Sequence, residues 1–313
     1  MALRGEERGA SYCSCPDFRT NTLGTCKHII HVLEKAKRRF PADVWRRPSK
    51  RTRPSLHLHY GPETVLRLLL PHSLPTDVES IVRPLRDRDL DDVHDLVKRL
   101  GQLEKLAQEV TIYPDAEEYI QQRLFQDRLQ SLAAQIRKDS VNHPLRQTLL
   151  KMALLPYQLE GIAFAIGAGR AVLADDMGLG KTIQGIGVAE LLAREAGIRK
   201  VLVICPASVK SQWRNEIHRC CERDCQLVLG SMATRAPQYA NDCFFTLCNY
   251  EQVLRDILAI ERVKWDLIIL DEGQRIKNWE AKTSSVIKSL KSPFALVLSG
   301  TPLENRLDEL YSV

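Results

Sequence analysis

Apolar and polar positions change rhythm along this chain. In the C-terminal half, short apolar runs at 170–174, 201–205, 226–229, 244–248, 267–270 and 295–298 alternate with helix-length stretches such as 183–196. Runs this short, apolar at nearly every position, fit strands covered on both faces. Strands alternating with helices predict an α/β fold with a doubly wound parallel sheet. On such sheets ligands bind at the carboxyl ends of the strands.

Upstream the rhythm is helical. Leu90, Val93, Leu96, Val97 and Leu100 recur at helical spacing, Pro114 breaks the pattern, and residues 117–136 resume it. Nearer the start, Ile29, Val32, Leu33, Ala36 and Phe40 form the apolar face of a short helix. Between these stretches lie Arg46, Arg47, Lys50, Arg51, Arg53 and Pro54, either a phosphate-contacting arm or a solvated tether. The expected divisions are 1–40, a small Cys/His module; 41–150, a basic linker and helical region; and 151–313, the α/β lobe.

Composition adds limits. The net charge of +6 permits a polyanionic partner without requiring one. Residues 1–12 carry no signal-peptide core, and no apolar run is long enough to span a bilayer, so a soluble cytoplasmic protein with reduced thiols is expected.

The polar motifs fall at the ends of the expected strands. Ala174 to Thr182 reads A-D-D-M-G-L-G-K-T, between a strand and a helix. Gly178 and Gly180 let backbone N–H groups turn inward to cradle phosphate, Lys181 reaches the β- and γ-phosphates, and Thr182 offers a hydroxyl to Mg²⁺. The loop departs from the general pattern at Asp175, where a glycine is expected. After the apolar run at 267–270 come Asp271, suited to hold the metal, and Glu272, suited to polarise the attacking water. Ser299 and Thr301 close the last strand, where small hydroxyls can touch the acidic motif and relay nucleotide state.

Taken in order, these segments resemble the Swi/Snf branch of helicase superfamily II, over about residues 154–313. Leu155-Pro156-Tyr157-Gln158 with Gly161 is similar to the family's adenine-reading segment, with Gln158 on the base. Asp175, Asp176, Met177, Gly178, Leu179, Gly180, Lys181 and Thr182 correspond to its nucleotide loop, with Asp176 where glutamate is more usual. Pro206 through Trp213 and Asn249-Tyr250-Glu251 resemble segments implicated in DNA contact. Asp271 to Asn278 resembles the acidic box, with Gly273 and Gln274 replacing the commoner Ala and His, and Leu298 to Asn305 resembles the coupling motif. The resemblance implies a RecA-like first lobe that binds ATP and Mg²⁺ and acts on double-stranded DNA in the nucleoid. Lys181, Asp271 and Glu272 would be the catalytic residues. It also implies a second lobe supplying arginines worth ~10³-fold or more in rate. The sequence reaches only Val313, so this chain is expected to bind ATP, hydrolyse it poorly and not translocate.

Cys13-x-Cys15 and Cys26-x-His28 supply ligand types that suit Zn²⁺, with the second pair opening a helix and His31 a rival one turn on. This arrangement is similar to a SWIM zinc finger, of a kind often attached to bacterial Swi/Snf-like proteins, which implies a nucleic-acid or protein partner. His218, Cys220, Cys221 and Cys225 form a weaker cluster, better read as structural or free thiols. Two rival functions stand beside the motor: a zinc-dependent binding module with a decayed ATPase, and an RNA-directed helicase. The nucleotide loop and the segment at 271–278 favour the Swi/Snf branch.

Overall fold

A computed structural model describes residues 1–41, 52–273 and 286–300, apart from residues 2, 5, 7, 21, 22, 62, 72, 87, 177 and 288. Met177, Thr301 and the basic stretch up to Arg51 therefore lie outside the described residues. By compactness the chain falls into two units, Met1–Phe125 and Gln126–Val313.

The second unit is an α/β layer structure. Strands β4 (Arg170–Leu173), β5 (Val201–Cys205), β6 (Cys225–Leu227), β7 (Phe245–Asn249), β8 (Leu267–Leu270) and β9 (Phe294–Leu298) lie in the order β4-β9-β8-β5-β7-β6. Every pairing among them is parallel. The apolar runs are thus strands of a parallel sheet, within one or two residues of the expected bounds. β5 and β8 are buried at every position, which a strand reaches only with cover on both faces. The helix Lys181–Ala196 supplies part of that cover, buried continuously from Gln184 to Leu192. Gly180 and Gly197 bound it in left-handed conformations at φ 74° and 64°, which glycine adopts without the Cβ clash.

Besides its helices, the first unit contains a small sheet that the hydrophobic pattern did not predict. Strands β1 (Ser55–His59) and β2 (Val65–Leu69) form an antiparallel pair, and β3 (Thr111–Ile112) adds in parallel, in the order β2-β1-β3. Leu56, Leu58, Leu66 and Leu68 pack with Val78, Val82, Leu96 and Leu103 in one core. Their i, i+2 spacing, with His57 and Arg67 at the positions between, is the strand period, but each strand carries it for only five residues. Pro114 begins the helix Pro114–Lys138, as its missing N–H and fixed φ favour.

The Cys/His segment packs onto this sheet. Tyr60 N donates to Gly9 O at 2.8 Å and Gly9 N to Gly24 O at 3.0 Å. Gly9 has φ 85°, and a Cβ there would lie 2.0 Å from Tyr60 O, so only glycine fits. Phe18 meets the Tyr60 ring edge-on at 4.8 Å.

Candidate functional site

The strand order decides which motifs meet. β9 lies between β4 and β8, with Leu173 opposite Leu298 and Leu270 opposite Val297. The phosphate loop, Ser299 and Asp271 therefore leave the sheet side by side at one edge. Backbone bonds continue past the strand ends. Ser299 N donates to Leu173 O at 3.0 Å, Gly273 N to Leu298 O at 2.9 Å, and Asp271 N to Ile204 O at 2.8 Å. Ser299 is itself buried.

The phosphate loop turns through Gly178 at φ 87° and Gly180 at φ 74°. Lys181 Nζ donates to the carbonyls of Asp175 and Asp176 at 2.7 and 2.8 Å. The Asp175 carboxylate accepts Gln184 Nε2 at 2.7 Å. An acid is accommodated at the expected glycine position because its side chain has this buried partner, Gln184 being fully buried. Gln158 Oε1 accepts Leu155 N at 3.0 Å at the start of its helix, while its Nε2 donates to Leu179 O at 3.4 Å. The expected base-reading residue thus also braces the phosphate loop. A Cβ on Gly180 would lie 2.6 Å from Gln158 Nε2, a second reason for glycine at that point.

Asp271 is held from three directions. Trp213 Nε1 donates to its Oδ2 at 2.7 Å, Glu272 N to its Oδ1 at 2.9 Å, and Tyr250 OH to its backbone carbonyl at 2.6 Å. Burial pushes the Asp271 carboxyl up, and the Trp213 and Glu272 donors oppose that rise. Glu272 has φ 52°, a left-handed conformation that costs an L-residue ~1–2 kcal/mol. The Asp271 carboxylate and the Thr182 hydroxyl are hard oxygen donors, the type Mg²⁺ prefers, and Lys181 is near enough for its charge to act on Asp271. The donor set therefore fits a magnesium–nucleotide complex. The roles of Trp213 and Tyr250 at this acid were not read from the sequence. The available signal was an aromatic with a polar tip inside an apolar stretch, since buried Trp and Tyr tips usually find a partner.

Residues 157–313 match the SNF2-related domain, half of the 313-residue chain. The chain belongs to the SNF2-related family. This is a family of ATP-hydrolysing enzymes that act on nucleic acid. The chain is 33% identical over 174 residues to the ISWI chromatin-remodeling complex ATPase ISW1 of Saccharomyces cerevisiae, covering 51% of this chain and 15% of the relative. It is 31% identical over 178 residues to the DNA repair and recombination protein RAD54B of Homo sapiens, covering 51% and 20%. A solved Sulfolobus solfataricus SWI2/SNF2 ATPase core in complex with dsDNA is 35% identical, with a TM-score of 0.48, covering 52% of this chain and 35% of that one. The chain thus spans a fifth or less of the length of these two curated relatives.

Outside the SNF2-related match, the ligand atoms of Cys13, Cys15, Cys26 and His28 all lie within 4.8 Å of one another. The Cys13 Sγ and His28 Nδ1 atoms are 4.0 Å apart. Cys26 caps the helix Lys27–Arg39 and His28 sits in its first turn. Cys15 Sγ accepts Phe18 N at 3.4 Å, and that bond brings its thiol down to about 7. Thiolates bind zinc, so the donor set fits a tetrahedral Cys₃His site. His31 is not in this group. In the SNF2-related lobe, Cys220 and Cys221 are buried, against Met152 Sδ and Ile217 O respectively, and burial pushes both thiols up.

Proposed function

We propose that the second unit is the ATP-binding lobe of a DNA-dependent ATPase that translocates on double-stranded DNA. The observation that carries this reading is the β4-β9-β8 order, which sets phosphate loop, coupling serine and acid pair at one sheet edge. In this reading Lys181 leaves its loop carbonyls for the β- and γ-phosphates. Thr182 and Asp271 hold Mg²⁺, which would neutralise charge developing on the phosphates. Glu272 accepts a proton from the attacking water as it orients it. Gln158 has a second amide hydrogen to offer the adenine. Ser299 and Thr301 relay nucleotide state from the acidic box to the track-binding surface.

Duplex DNA is favoured as the partner because the similar proteins are a chromatin-remodeling ATPase, a DNA repair protein and an ATPase core bound to dsDNA. The site of action is then the DNA of the cytoplasm or nucleoid. Cys13, Cys15, Cys26 and His28 hold a structural zinc in a SWIM-type finger, which contacts nucleic acid or a protein partner. The deciding experiment is ATP hydrolysis by the full-length protein with duplex DNA, duplex RNA or neither, alongside Lys181→Ala. Stimulation by DNA that Lys181→Ala abolishes is the expected result. Stimulation by RNA alone would move the protein to the RNA branch, and equal rates for both proteins would sink the phosphate-loop assignment.

A further inference from the structure

Asp271 is the acid that this reading assigns to the metal, yet two of the bonds holding it come from outside its own segment. Trp213 lies in the helix Lys210–Cys220 and Tyr250 opens the helix Tyr250–Ile260. Both rings are buried, each about 1% exposed. An indole has one N–H and no acceptor, so its bond to Oδ2 at 2.7 Å fixes one carboxylate oxygen in direction. Tyr250 OH, at 2.6 Å from the Asp271 carbonyl, fixes the backbone from which that carboxylate hangs.

The same indole touches the phosphate-loop helix. A Cβ built on Gly185 would lie 3.1 Å from Trp213 Cη2, 3.4 Å from Leu298 Cδ1 and 3.9 Å from Ile269 Cδ1. Gly185 is thus where the phosphate-loop helix, the indole, the coupling strand and the acid strand converge. The two donor helices are also joined to each other. Lys210 Nζ donates to Val228 O at 2.7 Å and to Gln252 Oε1 at 3.1 Å, and Gln252 Nε2 donates to the same Val228 carbonyl at 3.0 Å.

We infer that Trp213, supported by Tyr250, is a positioning residue that sets the Asp271 carboxylate against the phosphate-loop helix for a nucleotide-bound divalent cation. The inference rests on the nucleotide reading of the site. Trp213 touches neither nucleotide nor metal in this role; it acts through Asp271. Groups that orient a metal ligand from behind typically change metal affinity or activity about 10–100-fold when removed.

The test is nucleotide binding rather than turnover. The full-length protein and Trp213→Phe are titrated with a methylanthraniloyl ATP analogue, without divalent cation and across a Mg²⁺ series. Loss of the indole N–H is expected to raise the Mg²⁺ needed for half-maximal binding by about tenfold or more, while metal-free binding stays within about twofold of the parent. Tyr250→Phe, which removes one hydroxyl and keeps the ring, is expected to shift the Mg²⁺ dependence the same way by less. It also carries the test if Trp213→Phe does not fold. Unchanged Mg²⁺ dependence in the folded variants overturns the proposal. So does an equal loss with and without Mg²⁺, which would mean packing alone. If the parent protein binds no nucleotide at all, the function proposed above falls, and this proposal falls with it.

Discussion

Lys181 Nζ lies 2.7 Å from the Asp175 carbonyl and 2.8 Å from the Asp176 carbonyl, folded back on the loop that it follows. The lysine therefore exchanges two bonds to neutral oxygens for bonds to phosphate. Bonds between ionised partners are roughly twice as strong as neutral ones, so the exchange favours nucleotide. Lys181→Ala is expected to weaken Mg-ATP binding by more than about tenfold, or 1.4 kcal/mol. Its melting temperature should change little, because Lys181 is only half-buried. Fluorescent-nucleotide titration beside a thermal melt checks both halves. Unchanged affinity would place the phosphates elsewhere.

Gly273 departs from the family's usual alanine, and its surroundings supply the reason. A Cβ there would lie 2.3 Å from Val297 Cγ1, while Gly273 N is held by Leu298 O at 2.9 Å. The backbone cannot retreat without losing that bond. Gly273→Ala is expected to destabilise by about 1–3 kcal/mol, the usual cost of overpacking. Combining it with Val297→Ala should recover part of the loss, as coupled neighbours do. Chemical denaturation of the four proteins of this cycle measures the coupling, and strict additivity would show that the two side chains do not compete.

What the sequence discloses follows from where physics leaves a period or a type. The parallel strands were legible because β5 and β8 are buried at each position. The phosphate loop was legible because Gly178 and Gly180 must take positive φ. The β1–β2 pair was not, since its alternation lasts only five residues in each strand and His57, a polar type, is buried between Leu56 and Leu58. Nor was the Trp213–Asp271 bond, which joins residues 58 positions apart and depends on strand order rather than on any local pattern.

Removal of metal tests the Cys/His group. Among the described residues its core comprises Cys13, Phe18, Cys26 and Ile29, with Tyr12, Cys15, Leu33 and Tyr60 packed against it. A core this small is commonly stapled by a metal. The purified protein is expected to carry about one zinc per chain. Cys13→Ser with Cys15→Ser should lose that zinc, and His31→Ala should keep it. Strong chelation should lower the melting temperature of the parent but not that of the double variant. Zinc retained by the double variant would assign the ligands elsewhere.

The buried ion pair of the first unit gives a pH prediction. Arg4 reaches Asp115 through two bonds, at 2.7 and 3.2 Å, with both side chains under 5% exposed. Tyr60 OH adds a third bond to the carboxylate at 2.7 Å, and the guanidinium lies over the Tyr113 ring at 4.1 Å. Burial alone would raise the Asp115 carboxyl, but the bonds from Arg4 and Tyr60 outweigh it and hold the group below its ordinary range. A depressed carboxyl contributes stability above its unfolded value of about 3.9, and that contribution is lost as pH falls toward the folded value. Asp115→Asn leaves a buried guanidinium without its counter-charge, which costs about 3–5 kcal/mol. The variant should therefore be less stable than the parent at pH 7. Between about pH 5 and pH 3 the parent should lose stability more steeply, because only the parent has this group to protonate. Denaturant unfolding of both proteins across that range measures the difference, and parallel pH dependences would show that the carboxylate is not held by Arg4 in solution.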